Sequence, residues 1–300
     1  MKKPMRAAAL ALMIHLAAAP AHAAEANAEA KANVAAQFDV AVTGKGKPVI
    51  LIPGLASPGA VWDSTVHHLC KRGPYQCHVL SLAGFAGKPA VAAPSLDTVK
   101  QQLAGYIRAK GLGQANLIGH SLGGSLALRL AIDEPQLVGR VVVVDSLPAL
   151  GAAQMASLTS AQLRDMAAQQ RKAMLAQPAE QMDAGTAMAI RTMATSPAHV
   201  ETITGWSRQS DRATVVHAMS DLMGTDLRQD VARITAPVLV LGTWIAYRDF
   251  APRSAIEATF RDQYRQAPTA KIELSDTARH FVMLDDPAWM LDRIDRFLAQ

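Results

Sequence analysis

Six short apolar runs recur along the chain, at residues 48–52, 77–82, 115–118, 141–144, 237–241 and 271–274. Each is followed within two residues by Gly, Pro, Asp or Ser. Most are unbroken rather than alternating, the pattern of parallel strands covered on both faces. Between them lie segments with helical periodicity: 97–110, stopped by Gly111; 122–132, stopped before Pro135; 254–266; and 288–298, which sets Leu291, Ile294 and Leu298 on one stripe. Strand and helix alternate, so the pattern predicts an α/β fold with a mostly parallel central sheet flanked by helices.

Residues 149–232 break this rhythm. They hold no convincing strand, many alanines and eight of the chain's thirteen methionines. The segment reads as a helical cap inserted into a core made of 38–148 and 233–300. At any single methionine, filler between helix and sheet is the plainer reading; a pliable apolar wall for a substrate is the functional one.

Composition narrows the function classes. Half the residues are apolar and 18% are charged, which suits a folded globular chain. Of the formal net charge of +5, Lys2, Lys3 and Arg6 supply three, and no acid precedes residue 24; the remainder carries +2 with no Lys/Arg block. Nucleic acid is therefore not an expected partner. The same three cations open an export signal: an apolar stretch over 7–19, then Pro20 and the small-x-small triplet Ala21-His22-Ala23. Cleavage is expected after Ala23, with 24–37 as a leader, giving a periplasmic or secreted protein without stable membrane insertion. The apolar stretch is short for a bilayer span. The only cysteines, Cys70 and Cys77, flank Gly73-Pro74 and are expected to close a short disulfide loop in an oxidising compartment.

The chemistry concentrates at Gly119-His120-Ser121-Leu122-Gly123, between a strand and a helix. On so tight a bend, Gly119 and Gly123 remove side chains that would collide, and Ser121 is held at the start of a helix. The Leu122 N–H there faces a developing negative charge.

With this motif in that setting, residues 38–300 resemble the α/β-hydrolase superfamily of the serine-nucleophile type. The resemblance implies a second oxyanion donor in the loop after the first apolar run, which is the Leu55 N–H in Pro53-Gly54-Leu55-Ala56-Ser57. Many relatives carry His-Gly where this chain has Pro53-Gly54. It also implies a general base after the last strand, matched by His280 in Ser275-Asp276-Thr277-Ala278-Arg279-His280-Phe281. His120 is expected to shape the turn. The acid departs from the usual pattern. Most relatives place it after the sixth run, where this chain has Gly242-Thr243-Trp244-Ile245, with Asp249 following late. Some place it one strand earlier, where this chain has Asp145. Asp145 is the candidate, Asp249 the alternative, and Asp276 is expected on the loop surface.

The resulting expectation is a carboxylic-ester hydrolase working through an acyl-enzyme on a small to medium apolar acyl group. Catalysis falls to Ser121, His280 and Asp145, with Leu55 and Leu122 as oxyanion donors. No cofactor or metal is implied, and the expected partner is a small ester-like molecule. Thioesterase, lactonase, amidase and carbon–carbon-bond hydrolase remain open within the same chemistry. The rivals from other classes are a non-catalytic binding protein on this fold and a membrane-associated protein that keeps its N-terminal segment as an anchor.

Overall fold

The computed structural model describes residues 35–92 and 94–300; the expected export signal and cleavage site lie outside the described residues. Seven strands form one sheet: β1 (Phe38–Gly44), β2 (Lys47–Ile52), β3 (Tyr75–Leu82), β4 (Ala115–His120), β5 (Val138–Val144), β6 (Val238–Thr243) and β7 (Ala270–Ser275). Their order is β1-β3-β2-β4-β5-β6-β7. All neighbours are parallel except β1, which runs antiparallel to β3 from Phe38 opposite Leu82 to Gly44 opposite Gln76.

The unbroken apolar runs fold as the pattern requires. In β5, Val141 and Val143 enter one hydrophobic cluster, whereas Val142 and Val144 enter the other, across the sheet. The first cluster takes the apolar faces of α1 (Leu96–Ala109) and α2 (Leu122–Asp133). The second takes Trp62 and Leu69 from three helical turns (Gly59–Trp62, Asp63–Val66 and His67–Lys71), with the C-terminal helix beyond them.

The pattern missed β1. Its sequence Phe-Asp-Val-Ala-Val-Thr-Gly alternates, and no residue in it is fully buried, because it is an edge strand with one wet face. Getting from β1 to β2, with β3 between them, takes Gly44 and Gly46 at φ 85° and 115°. A Cβ on Gly46 would lie 2.0 Å from the Pro74 carbonyl oxygen. Beside this crossing the Cys70 and Cys77 sulfurs stand at disulfide distance, with Cα atoms 5.8 Å apart.

No strand occurs between β5 and β6. Four helices occupy that stretch: α3 (Ser160–Ala176), α4 (Ala179–Ile190), α5 (Pro197–Arg208) and α6 (Arg212–Gly224). Ala218 and Leu222 of α6 join the first cluster, and Ile190, Ala194 and Ile203 join the second, so this cap packs into both halves of the core. None of its eight methionines is buried, and Met155, Met166 and Met188 are exposed; the reading of them as core filler is corrected except at Met193, which packs against the second cluster. Alanines, Ile190, Ile203, Val216 and two leucines, Leu163 and Leu222, make the buried contacts instead.

Two helices close the chain, α7 (Arg253–Gln263) and α8 (Pro287–Leu298). The buried stripe of α8 is Met290, Ile294, Phe297 and Leu298, with Leu291 only half-buried at its margin. Of the expected stripe, Ile294 and Leu298 are buried and Leu291 is not, its place being taken by Met290 and Phe297. Among the described residues, no helix is long and apolar enough to cross a membrane.

Candidate active site

The carboxyl ends of β2, β4, β5, β6 and β7 converge on one edge of the sheet, and the residues picked out by motif lie there. Ser121 links β4 to α2 with φ 52° and ψ −116°, a left-handed conformation that residues with a side chain rarely adopt. Neighbouring backbone holds it: its N–H donates to the Val144 carbonyl at 2.9 Å, and its carbonyl accepts from the Ser125 N–H at 3.1 Å. Glycine is obligatory on both sides. A Cβ on Gly119 would lie 2.1 Å from the Gly123 oxygen, and one on Gly123 would lie 2.3 Å from the Ile52 oxygen. Leu122 opens α2, so its N–H has no acceptor within the helix.

The loop after β2 packs directly against this bend. A Cβ on Gly54 would stand 3.3 Å from the Ser121 Cβ. The Ser57 N–H returns to the Gly54 carbonyl at 3.3 Å and its hydroxyl donates to the Leu55 carbonyl at 3.2 Å, which curls the loop back on itself. Ala56 within it has φ 54°. Four non-glycine residues among those described have positive φ. Three of them, Ala56, Ser121 and Asp145, sit on this one sheet edge. Strain of this kind persists only where the surroundings over-determine it.

Asp145, at φ 45°, ends β5 with its N–H on the Leu241 carbonyl at 2.8 Å. Its carboxylate divides its work. Oδ1 accepts from the Thr243 N–H at 2.9 Å and the Thr243 hydroxyl at 3.0 Å, while Oδ2 lies 2.6 Å from His280 Nδ1. With Nδ1–H given to the carboxylate, a neutral His280 ring keeps its lone pair on Nε2. Asp249 is elsewhere: its side chain is 81% exposed and pairs with Arg248 at 3.7 Å. Asp276, as expected, turns away from His280 to accept from Trp244 Nε1 at 2.7 Å and Arg253 Nε at 2.8 Å.

Several site neighbours were not legible in the sequence. Thr243 clamps Asp145, and its only sequence signal is its place at the end of β6. The loop carrying His280 is also stitched to the cap. Arg279 Nη1 donates to the Arg191 carbonyl at 3.0 Å and to the Ala194 carbonyl at 3.3 Å, and the Phe281 N–H donates to the Met193 carbonyl at 3.1 Å. The fully buried Asp285 carboxylate gathers donors from both sides: the Arg279 N–H at 3.0 Å, the Thr195 hydroxyl at 2.9 Å and His199 Nδ1 at 3.3 Å. His120 is wholly buried, and that burial, with His280 beside it, holds its pKa well below the ordinary imidazole range. Tyr264, buried and donating to the Ser146 carbonyl at 2.9 Å, is likewise held in its neutral form, its pKa pushed up by desolvation and then by Asp145. Among the described residues, no group of three or more His, Cys, Asp or Glu is arranged to hold a metal ion.

A parallel sheet with one antiparallel edge, a left-handed serine between strand and helix, and an Asp–His pair at the neighbouring strand ends define an α/β hydrolase. Residues 49–293 match the model of the Alpha/beta hydrolase family, and the chain belongs to that family. One relative, pimeloyl-[acyl-carrier protein] methyl ester esterase of Nitrosomonas europaea, is 32% identical over 113 residues, covering 38% of this chain and 42% of that one. The chain thus matches about two fifths of that relative's length. Among solved structures, an esterase from Exiguobacterium antarcticum superposes with a TM-score of 0.70 at 16% identity, over 88% of this chain and 96% of that one. The enol-lactonase from Burkholderia xenovorans LB400 does so with a TM-score of 0.69 at 16% identity, over the same shares. Likeness at that identity is a likeness of fold.

Proposed function

We propose that this chain is a serine esterase that cleaves carboxylic esters of small to medium apolar acids through an acyl-enzyme. The observation that carries the reading is the 2.6 Å contact between Asp145 and His280 on the sheet edge where Ser121 is held in its left-handed turn. In this mechanism His280 Nε2 takes the proton from the Ser121 hydroxyl as the oxygen attacks the ester carbonyl. The Leu55 and Leu122 N–H groups receive the oxyanion; one such donor is typically worth ~10²–10³ in rate. His280 then hands the proton to the departing alkoxide. Water, deprotonated by His280, attacks the acyl-enzyme and frees Ser121. Asp145 keeps the imidazole in the required tautomer and stabilises its cation, and Thr243 holds that carboxylate in place. The relative named as a methyl ester esterase supports ester cleavage. Apolar acyl groups are favoured by the surroundings of His280, where Phe281, Trp206 and Met193 pack together.

The protein acts outside the cytoplasm in this reading, with residues 1–23 removed and Cys70 bonded to Cys77. The sequence pattern of residues 1–23 and the disulfide-distance cysteine pair support this. The intact mass of the exported protein tests it: loss of residues 1–23 and of two thiol hydrogens is expected, and a retained N-terminus or two free thiols would overturn it.

For the activity, the experiment is turnover of p-nitrophenyl esters from acetyl to lauroyl by the wild type and Ser121→Ala. Turnover favouring the shorter apolar acids, and lost in the variant, is expected. Equal background rates for both proteins across the series would leave a binding protein on a hydrolase fold.

A further inference from the structure

His120, beside Ser121, has no part in the proton transfers above. The residue is 1% exposed, with the rings of His280 and Phe281 against it. Its two nitrogens face opposite circumstances. Nε2 lies 3.0 Å from the backbone carbonyl of His280, so it carries the hydrogen and donates. Nδ1 is buried without a partner and faces Gly54, where a Cβ would come within 2.7 Å of it. No hydrogen on Nδ1 would find an acceptor there. One tautomer of the neutral ring therefore fits, and the imidazolium does not.

A histidine that only filled space here could be replaced by an apolar ring, which would remove the cost of a buried unsatisfied acceptor. What the imidazole adds is the donor to His280. The ring also lies against the His280 ring (centroids 4.6 Å apart, planes tilted 49°) and against Phe281 (4.8 Å, 53°), while Phe281 meets His280 edge-on at 5.6 Å. His280 is thus fixed by its ring through Asp145, by its carbonyl through His120, and by its neighbour's N–H through Met193. Only the His120 anchor comes from the residue adjoining Ser121. It ties the turn bearing the nucleophile directly to the loop bearing the base.

We propose that His120 is a positioning residue: its Nε2–H holds the His280 backbone so that the His280 ring stays in register with Ser121. This rests on the reading of Ser121 and His280 given above. Two substitutions separate the donor from the ring. His120→Gln keeps a donor at the same number of bonds from Cβ; His120→Phe keeps the ring shape and removes the donor. The expected result, on variants whose thermal midpoints show them folded, is a kcat lower by roughly 10- to 100-fold in His120→Phe with KM little changed, because small misplacements of reacting groups cost that much. His120→Gln is expected to recover most of the loss. A second readout needs no turnover: the low-field proton resonance of His280 Nδ1–H, assigned by its absence in His280→Gln, should stay sharp in His120→Gln and broaden in His120→Phe. The proposal is overturned if His120→Phe turns over like the wild type with an unbroadened resonance, or if His120→Gln is as impaired as His120→Phe. Should Ser121→Ala and His280→Gln hydrolyse ester at the wild-type rate, the esterase reading fails on its own, and the resonance alone still decides the role of His120.

Discussion

At the scale of single residues, the site is built from groups whose neighbours leave them one arrangement. Asp145 can serve His280 with one oxygen because Thr243 occupies the other with two hydrogen bonds. Replacing the carboxylate by an amide puts either a donor against the imidazole or the wrong tautomer on it. Asp145→Asn is therefore expected to lower kcat by about 10⁴-fold with a native thermal midpoint. Asp249→Asn, at an exposed side chain, should leave the rate within about two-fold of the wild type; a reversal of the two effects in steady-state kinetics would move the acid to Asp249. The placement of Ser121 and His280 on one sheet edge was legible in the sequence, since one sits in a short motif and the other follows the last strand. Asp145 could be named but not decided. Its place beside His280 depends on β5 lying between β4 and β6, so that Asp145 and Thr243 end adjacent strands, and spacing along the chain does not record that. The tie from His120 to His280 is hidden for the same reason, spanning 160 residues.

At the scale of elements, continuous apolar runs betrayed the parallel strands, whose two faces are both covered. The half-wet edge strand β1 gave no such signal. The 149–232 stretch was legible as helical but not in its packing, because its methionines suggested a buried interior that alanine and branched aliphatic residues in fact provide. Beside the small apolar cluster of Ala149, Ala152 and Leu163, polar groups tie its outer part. Asp226 accepts from Arg228 Nε at 2.8 Å and from the Ser160 hydroxyl at 2.9 Å, and Arg228 also donates to the Ala156 and Leu158 carbonyls at 2.6 Å each. The start of α3 is thereby tied to the chain leaving α6. The bonds from Arg228 and then Ser160 lower the Asp226 pKa to about 2. A carboxylate whose folded pKa is depressed adds stability above its unfolded value near 4, and that stability disappears as pH falls from there toward 2. Asp226→Asn is expected to cost on the order of 1–2 kcal/mol at neutral pH. In urea titrations the gap between variant and wild type should close below about pH 4. A gap unchanged from pH 7 to 3 would mean that the charge contributes nothing.

At the scale of the whole molecule, burial of neutral histidines makes the fold sensitive to mild acid. Desolvation lowers the pKa of His120 far below the ordinary imidazole value, and that of His78 to a smaller extent. The unfolded chain takes up a proton at each as pH drops through about 6.5, whereas the folded chain does not. Protonation therefore favours the unfolded state, and stability should fall below about pH 6.5 with a limiting slope of about 1.4 kcal/mol per pH unit from His120. His120→Gln should flatten the fall in thermal midpoint between pH 7 and 5; an identical fall in both proteins would remove His120 as its source.

The proposed chemistry requires one property, a serine hydroxyl made nucleophilic by the groups around it. Fluorophosphonate labelling of the folded protein, read by intact mass beside Ser121→Ala, tests this most directly. A single adduct on the wild type and none on the variant is the predicted result. No adduct on folded wild type, or an adduct that survives Ser121→Ala, would contradict it.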